Sequence, residues 1–215
     1  MFSPRHPVVL NQFCSYGAQT ATSTGGVGAV VAYAGSVVYL DSSAANQDAI
    51  VYKMAHGVTA TPFGIAMQKV KTGYHQVHPT GFMMPGDLGS SDVLAQPDYD
   101  SNGDIQGTKE APLGVAHLGI WDTVHYTCDM TASVIQTGDN MKPGDALYVA
   151  ADEAKLTNNS TDVSVGTAST DKANGSYIDG QTTAVGICMK GASLAKCQAN
   201  FNNTTLYPIR VKLLV

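Results

Sequence analysis

Asp98-Tyr99-Asp100-Ser101-Asn102-Gly103-Asp104-Ile105 sets oxygen-bearing side chains at alternate positions ahead of a glycine, the way a loop wraps a hard cation such as calcium. The twelfth place of that loop is Lys109, Glu110 comes one place late, and no helical pattern flanks it, so an Asx-rich turn explains the same residues. His75 and His78 form an HxxH pair, but strand alternation sends them to opposite faces and no Glu lies between them. With His6, His56, His117 and His125 scattered elsewhere, the expected role is polar surface or interface. Gly191-Ala192-Ser193-Leu194-Ala195 approaches the nucleophile elbow GxSxG but ends in Ala, and the sequence offers no following helix in an α/β sheet. Thr24-Gly25-Gly26-Val27-Gly28 lacks the Lys-[ST] of a phosphate loop. Asp152 and Glu153 sit in an expected turn with nothing to perturb them, and the sequons at Asn158, Asn159, Asn174, Asn202 and Asn203 read as polar loops. The expectation is a chain with no catalytic residues, no cofactor and no metal, a binding and structural protein and not an enzyme.

Cys14, Cys128, Cys188 and Cys197 lie far apart, with no CxxC pair and no finger spacing. In a reducing cytosol they read as four buried thiols, although an even count also permits two disulfides. The 215 residues suit one large domain or two small ones. Charged residues make up 13% of the chain against about 25% in an average soluble domain, so Ser, Thr, Asn, Gln and Gly must keep it soluble. A surface of that kind suits close assembly with other protein. Seventeen acidic residues against twelve basic ones, net charge −5, with no basic cluster, argue against a direct nucleic-acid partner. No stretch has the h-region of a signal peptide or the roughly 18 apolar residues of a membrane span, so no membrane partner is expected.

Strand signals dominate the elements that carry those residues. Val27–Tyr33, Val37–Leu40, Phe63–Val70, Leu113–Cys128, Ala146–Ala150, Thr183–Met189 and Tyr207–Val215 are rich in β-branched and aromatic residues and bounded by turn formers. Ala44–Ala55 reads as a short helix or, at Ile50-Val51-Tyr52, as strand. Trp121, the one tryptophan, has apolar neighbours and reads as a core anchor.

Three strings echo one another: Pro62-Phe63-Gly64-Ile65-Ala66-Met67, Pro112-Leu113-Gly114-Val115-Ala116-His117 and Ala184-Val185-Gly186-Ile187-Cys188-Met189. Before the first stands Gly35-Ser36-Val37-Val38-Tyr39, and before the third Gly144-Asp145-Ala146-Leu147-Tyr148, each a tight turn feeding a strand. The order recurs, which predicts a mainly β chain of two related small β-barrel or β-tulip-like modules. The expected divisions are an extended N-terminal arm over 1–32, a first module with a polar linker over 33–109, and a second module over 110–215. The arm holds Phe2, Pro4, Pro7, Val8, Val9 and Leu10 and is expected to order on a partner chain. The polar stretch Asn158–Gln181 reads as a surface excursion.

Met141-Lys142-Pro143-Gly144-Asp145-Ala146-Leu147-Tyr148-Val149, a turn, and Lys155-Leu156-Thr157 resemble a phrase of tailed-bacteriophage structural proteins. In those proteins a [VI]-Gly-[VI] strand and a terminal Ile-Arg-Val-x-Leu follow, here Val185-Gly186-Ile187 and Ile209–Leu213, and Gly114–Thr123 resembles the strand that enters such a module. The resemblance covers about half the chain, mostly after residue 110, and implies a capsid decoration (cement) protein. It implies a virion location after assembly in the host cytoplasm, with the major capsid protein and further copies of the chain, possible trimers included, as partners. A phage tail, neck or fibre component with a receptor- or glycan-binding role is the alternative.

Overall fold

The computed structural model describes residues 2–4, 10–20, 30–43, 49–54, 60–72, 92–95, 97–102, 105–108, 110–128, 130–131, 134–135, 140–150, 154–158, 184–201 and 204–215. The strands run β1 (Phe2–Pro4), β2 (Leu10–Tyr16), β3 (Gln19–Thr20), β4 (Val30–Ala32), β5 (Val37–Leu40), β6 (Ile50–Lys53), β7 (Pro62–Ala66), β8 (Lys69–Thr72) and β9 (Asp92–Ala95). They continue with β10 (Pro97–Tyr99), β11 (Ile105–Thr108), β12 (Ala111–Thr123), β13 (Met130–Thr131), β14 (Val134–Ile135), β15 (Ala146–Val149), β16 (Leu156–Thr157), β17 (Gly186–Lys190) and, after helix α1 (Leu194–Phe201), β18 (Ile209–Leu213). The protein is mainly β, with one short helix among the described residues.

β12 is the spine. Over its first half it has β2 on one edge, from Ala111↔Tyr16 to Leu118↔Leu10, and β7 on the other, through Val115↔Ala66 and Ala116↔Ile65. Over its second half it has β1, Trp121↔Pro4 to Thr123↔Phe2, and β18, Gly119↔Leu213 to Thr123↔Ile209. The halves meet at Gly119, whose φ of 116° lies in the left-handed region that a side chain disfavours. The register on β2 also slips between Ala116 and Leu118, a bulge that re-aims the strand.

The first half closes a five-stranded barrel in the order β12–β2–β6–β5–β7 and back to β12; β2 and β6 are parallel and the other pairs antiparallel. Cys14, Tyr16, Val38, Val51, Ala66, Leu113 and Val115 pack in one core cluster, joined by Val31, Ala32 and Val70 from the small sheet β4–β8–β9. Burying each large aliphatic side chain contributes about 1.5–3 kcal/mol. The second half of β12 continues into β18, β17, β15 and β16, and the segment after β12 returns to β16 through a parallel bridge, Tyr126↔Leu156. Trp121, Tyr126, Leu147, Leu156, Val211 and Leu213 form the core there, and Val37, Ile65 and Ala116 from the barrel join it. Trp121 is fully buried with its indole N–H donating to the Leu118 carbonyl, the anchor its neighbours implied.

The same pairing pattern occurs twice. Val37↔Ile65 and Val38↔Gly64 match Ala146↔Ile187 and Leu147↔Gly186. One strand further, Ala116↔Ile65 and Val115↔Ala66 match Lys212↔Ile187 and Val211↔Cys188. The turns match as well. The Gly35 N–H donates to Ala66 O and the Gly144 N–H to Cys188 O, both at 2.8 Å, and the two glycines have φ of 105° and 95°. The Tyr33 N–H donates to Ser36 Oγ and the Lys142 N–H to Asp145 Oδ2, so a side chain at the last turn position closes each loop. Gly64 and Gly186 serve one purpose: an added Cβ would lie 2.5 Å from Val115 Cγ1 in the first case and 2.8 Å from Val211 Cγ1 in the second.

Three expectations need correction. Residues 10–16 of the expected N-terminal arm are a barrel strand, with Cys14 and Tyr16 at 6% and 3% exposure, and β1 lies on β12 of its own chain. The strand is hard to read because Leu10-Asn11-Gln12-Phe13-Cys14-Ser15-Tyr16 has no β-branched residue, and its longest pairing, with β12, is to residues about a hundred positions away. The boundary expected at residue 110 falls one residue before the strand that closes the barrel. A helix, α1, follows Ser193 where none was expected. Of Ala44–Ala55, Ile50–Lys53 is strand, and 44–48 and 55 lie outside the described residues, as does most of Asn158–Gln181.

Removing residues 2–16 takes away a barrel strand and uncovers Leu113 and Val115. That variant is expected to lose its cooperative thermal transition; a wild-type midpoint in a melting scan would mean that β2 is dispensable.

Candidate functional site

Chemistry needs a reactive group, a partner that tunes it and access for a substrate. Among the described residues the nearest approach is Ser36 with His125. β5 begins just after Ser36, and the turn at Gly35 places the Ser36 hydroxyl against the segment that follows β12. Ser36 Oγ lies 3.1 Å from His125 Nε2, the His125 N–H donates to Thr123 Oγ1, and the Tyr33 ring stacks on the imidazole at 5.4 Å. Ser36 is fully buried and His125 nearly so, and the hydroxyl also accepts the Tyr33 N–H. A serine sealed this way presents no surface to a substrate. The group is a clasp: it ties the barrel's turn to the start of the second strand set, where an added Cβ on Gly35 would meet His125 Cβ at 2.6 Å. The Val37 N–H donates to the Ala154 carbonyl across the same junction, and Ala154 sits at φ 53°, the only non-glycine with positive φ among the described residues.

The other sequence candidates fall apart from one another. His117 Nδ1 meets the Phe63 carbonyl at 3.0 Å and its ring packs edge-on against Phe63. His6, His56, His75 and His78 lie outside the described residues, as do the glycine-rich 24–28 and the pair Asp152 and Glu153. In the calcium-like stretch, Pro97–Tyr99 and Ile105–Thr108 are paired strands, and the Asn102 N–H donates to Asp100 Oδ1, an Asx turn; Gly103 and Asp104 lie outside the described residues. Ser193 does precede a helix, but with ordinary φ; its carbonyl accepts the Lys196 and Cys197 N–H groups, so it begins α1 as a cap and not as a strained elbow. Asn140 Oδ1 accepts the Leu194 N–H at 2.6 Å and satisfies another first-turn donor.

The four-thiol expectation is corrected. Cys128 and Cys197 form a disulfide that ties the segment after β12 to α1 across 69 residues, while Cys14 and Cys188 are buried thiols. No spacing rule pairs cysteines so distant; the fold brings them together, and closing that loop contributes roughly 4 kcal/mol in a chain-entropy account. Burial pushes the Cys188 thiol up to about 11, with Asp145 adding to the shift, and pushes the Tyr126 phenol up to about 12. Asp122, at 4% exposure, accepts the Arg210 Nε–H at 2.9 Å across β12 and β18, and this pairing raises the Arg210 pKa.

No family model matches the chain, and no curated protein matches it.

Unfolded, unreduced protein is expected to consume two equivalents of a thiol reagent, and four after reduction; four before reduction would remove the Cys128–Cys197 bond. The two raised acids fix an alkaline limit as well. Their protonated forms are favoured in the folded state, so stability is full below their ordinary values of 9.0 and 10.0 and falls as pH rises toward about 11 and about 12. Melting temperature is expected to drop above pH 9, with a shallower drop in Cys188→Ala and in Tyr126→Phe; parallel curves for wild type and variants would locate the alkaline loss elsewhere.

Proposed function

We propose that the chain is a virion structural protein of the capsid decoration (cement) type, built from two related β modules that share β12. The observation that carries this reading is the doubled turn-and-strand pattern. The phage-like phrase Lys142–Val149 is a turn feeding β15, and Tyr33–Leu40 repeats the backbone hydrogen bonds of that turn and the side-chain acceptor that closes it. Sealed polar groups and a weakly charged surface suit a protein that works by contact. In this role it binds the outer face of the major capsid protein lattice and further copies of itself, each contact weak and several together strong through effective concentration, so that the head resists the pressure of packaged genome.

The Cys128–Cys197 disulfide favours one second reading. Such bonds persist in oxidising surroundings, which a secreted or fibre-borne receptor- or glycan-binding module occupies throughout its working life. Particle imaging separates the two. Maps of intact particles, compared with particles made without this chain, are expected to differ on the outer face of the head, and particles without it are expected to release their genome at lower temperature. Density at a tail tip or fibre, with heads of unchanged heat resistance, would replace the first reading with the second.

A further inference from the structure

We infer that the outer face of the second module, centred on Ile187 and Lys212, is an interface with a second copy of this chain, joined head to tail. The inference rests on the relation between the two modules proposed above, and it needs no capsid.

In the first module, Val37, Ile65 and Ala116 stand side by side on β5, β7 and β12, and all three are at 0% exposure. What covers them is the second module, whose core they join. Their register equivalents, Ala146, Ile187 and Lys212, stand side by side on β15, β17 and β18, but the first two are half-exposed and the third exposed. Met67 packs into the shared core, whereas the equivalent Met189 is 44% exposed, with Leu214 at 49% nearby. The two turn glycines record the same contrast. A Cβ on Gly35 would strike His125, while a Cβ on Gly144 would meet nothing within 4 Å.

The first face therefore shows what fits a surface of this shape: the start of a module, represented by His125 and the carbonyl of Ala154. The chain carries a second such start. Tyr16 beside Val51, with the Gly17 N–H on Val51 O, repeats the parallel contact of Tyr126 beside Leu156, with the Thr127 N–H on Leu156 O; this puts Ser15 and Ala49 in the places of His125 and Ala154, although the Ala49 carbonyl already accepts the Ser15 N–H. Ser15 and Ala49 are half-exposed, so a second copy presents this start to the open face of the first. Lys212, in the place of Ala116, makes no ion pair among the described residues and stands near Lys190 and near Arg210, which Asp122 holds. The contact is heterologous, so repetition closes a ring or extends a filament according to the rotation between copies.

Sedimentation equilibrium of the isolated chain over roughly 1 to 100 µM tests this, a range in which association of ordinary strength is visible. The wild type is expected to show a mass above one chain that rises with concentration. Met189→Asp and Lys212→Glu change exposed side chains, so both are expected to keep the wild-type melting temperature and to weaken association by about tenfold or more. A monomer throughout the range overturns the inference, as does assembly that both variants leave unchanged. Imaging of particles reads the capsid role separately, so either can fail while the other stands.

Discussion

A thirteen-residue strand with neighbours on both edges must find a partner for its backbone N–H and C=O groups, because an unmade hydrogen bond in a buried site costs about 1–3 kcal/mol. β12 meets that constraint with four different strands, two for each half, drawn from residues 2–16, 62–66 and 209–213. The N-terminus, the middle and the C-terminus of the chain are thereby fixed against one element. The parts close around it by different means: the barrel on the first half, and the return from Tyr126 to Leu156 on the second. Gly119 allows a single strand to serve both, since a side chain at φ 116° would be strained at the point where the strand changes direction.

How much of this was legible in the sequence follows from where the determining contacts lie. Turns with a local chemistry were readable. Gly35 and Gly144 stand two residues before Val-Val-Tyr and Ala-Leu-Tyr runs, and both adopt the positive φ that their place before a strand implied. The glycines within strings, Gly64 and Gly186, were readable as close approaches, and each has a valine and a backbone carbonyl against it. β2 was hidden because its propensity is weak and its stability comes from Leu113 and Val115, a hundred residues away. The Cys128–Cys197 pair was hidden for the same reason. α1 escaped because eight residues, Leu194–Phe201, are too few to establish a 3.6-residue period, and its first donor, the Leu194 N–H, is satisfied by Asn140 from a remote loop. Of the candidate site, the residue types were visible but not their company. Ser36 and His125 are 89 residues apart, and nothing local to either announces the other.

Several buried polar groups among the described residues gather where β12 ends and its partners meet. Asn200 Nδ2 donates to the carbonyls of Val124 and Tyr126 as the chain leaves β12, and the Tyr126 hydroxyl donates to Tyr207 O. Asp122 is held by Arg210 at the place where β1, β12 and β18 come together. Buried polar atoms of this kind add little net stability, but mispairing them costs several kcal/mol, so they select one register among the many that a Gly- and Val-rich sheet permits.

Equivalent positions in the doubled pattern differ in side chain as their surroundings differ. Ser36 and Asp145 close the same turn by accepting the same backbone N–H. Ser36 is fully buried against His125, where a carboxylate would lose its hydration, and a neutral hydroxyl fills the role without that cost. Asp145 is half-exposed, and its carboxylate also accepts from the Asn158 amide. Ala116 and Lys212 divide in the same way: the methyl lies under the second strand set, whereas the lysine stands at the surface. The backbone geometry of the two halves is set by glycine placement and strand pairing, which tolerate either side chain. The choice between them is then free to follow whatever covers the face, so a sequence difference at matched register reports burial and not a difference of fold.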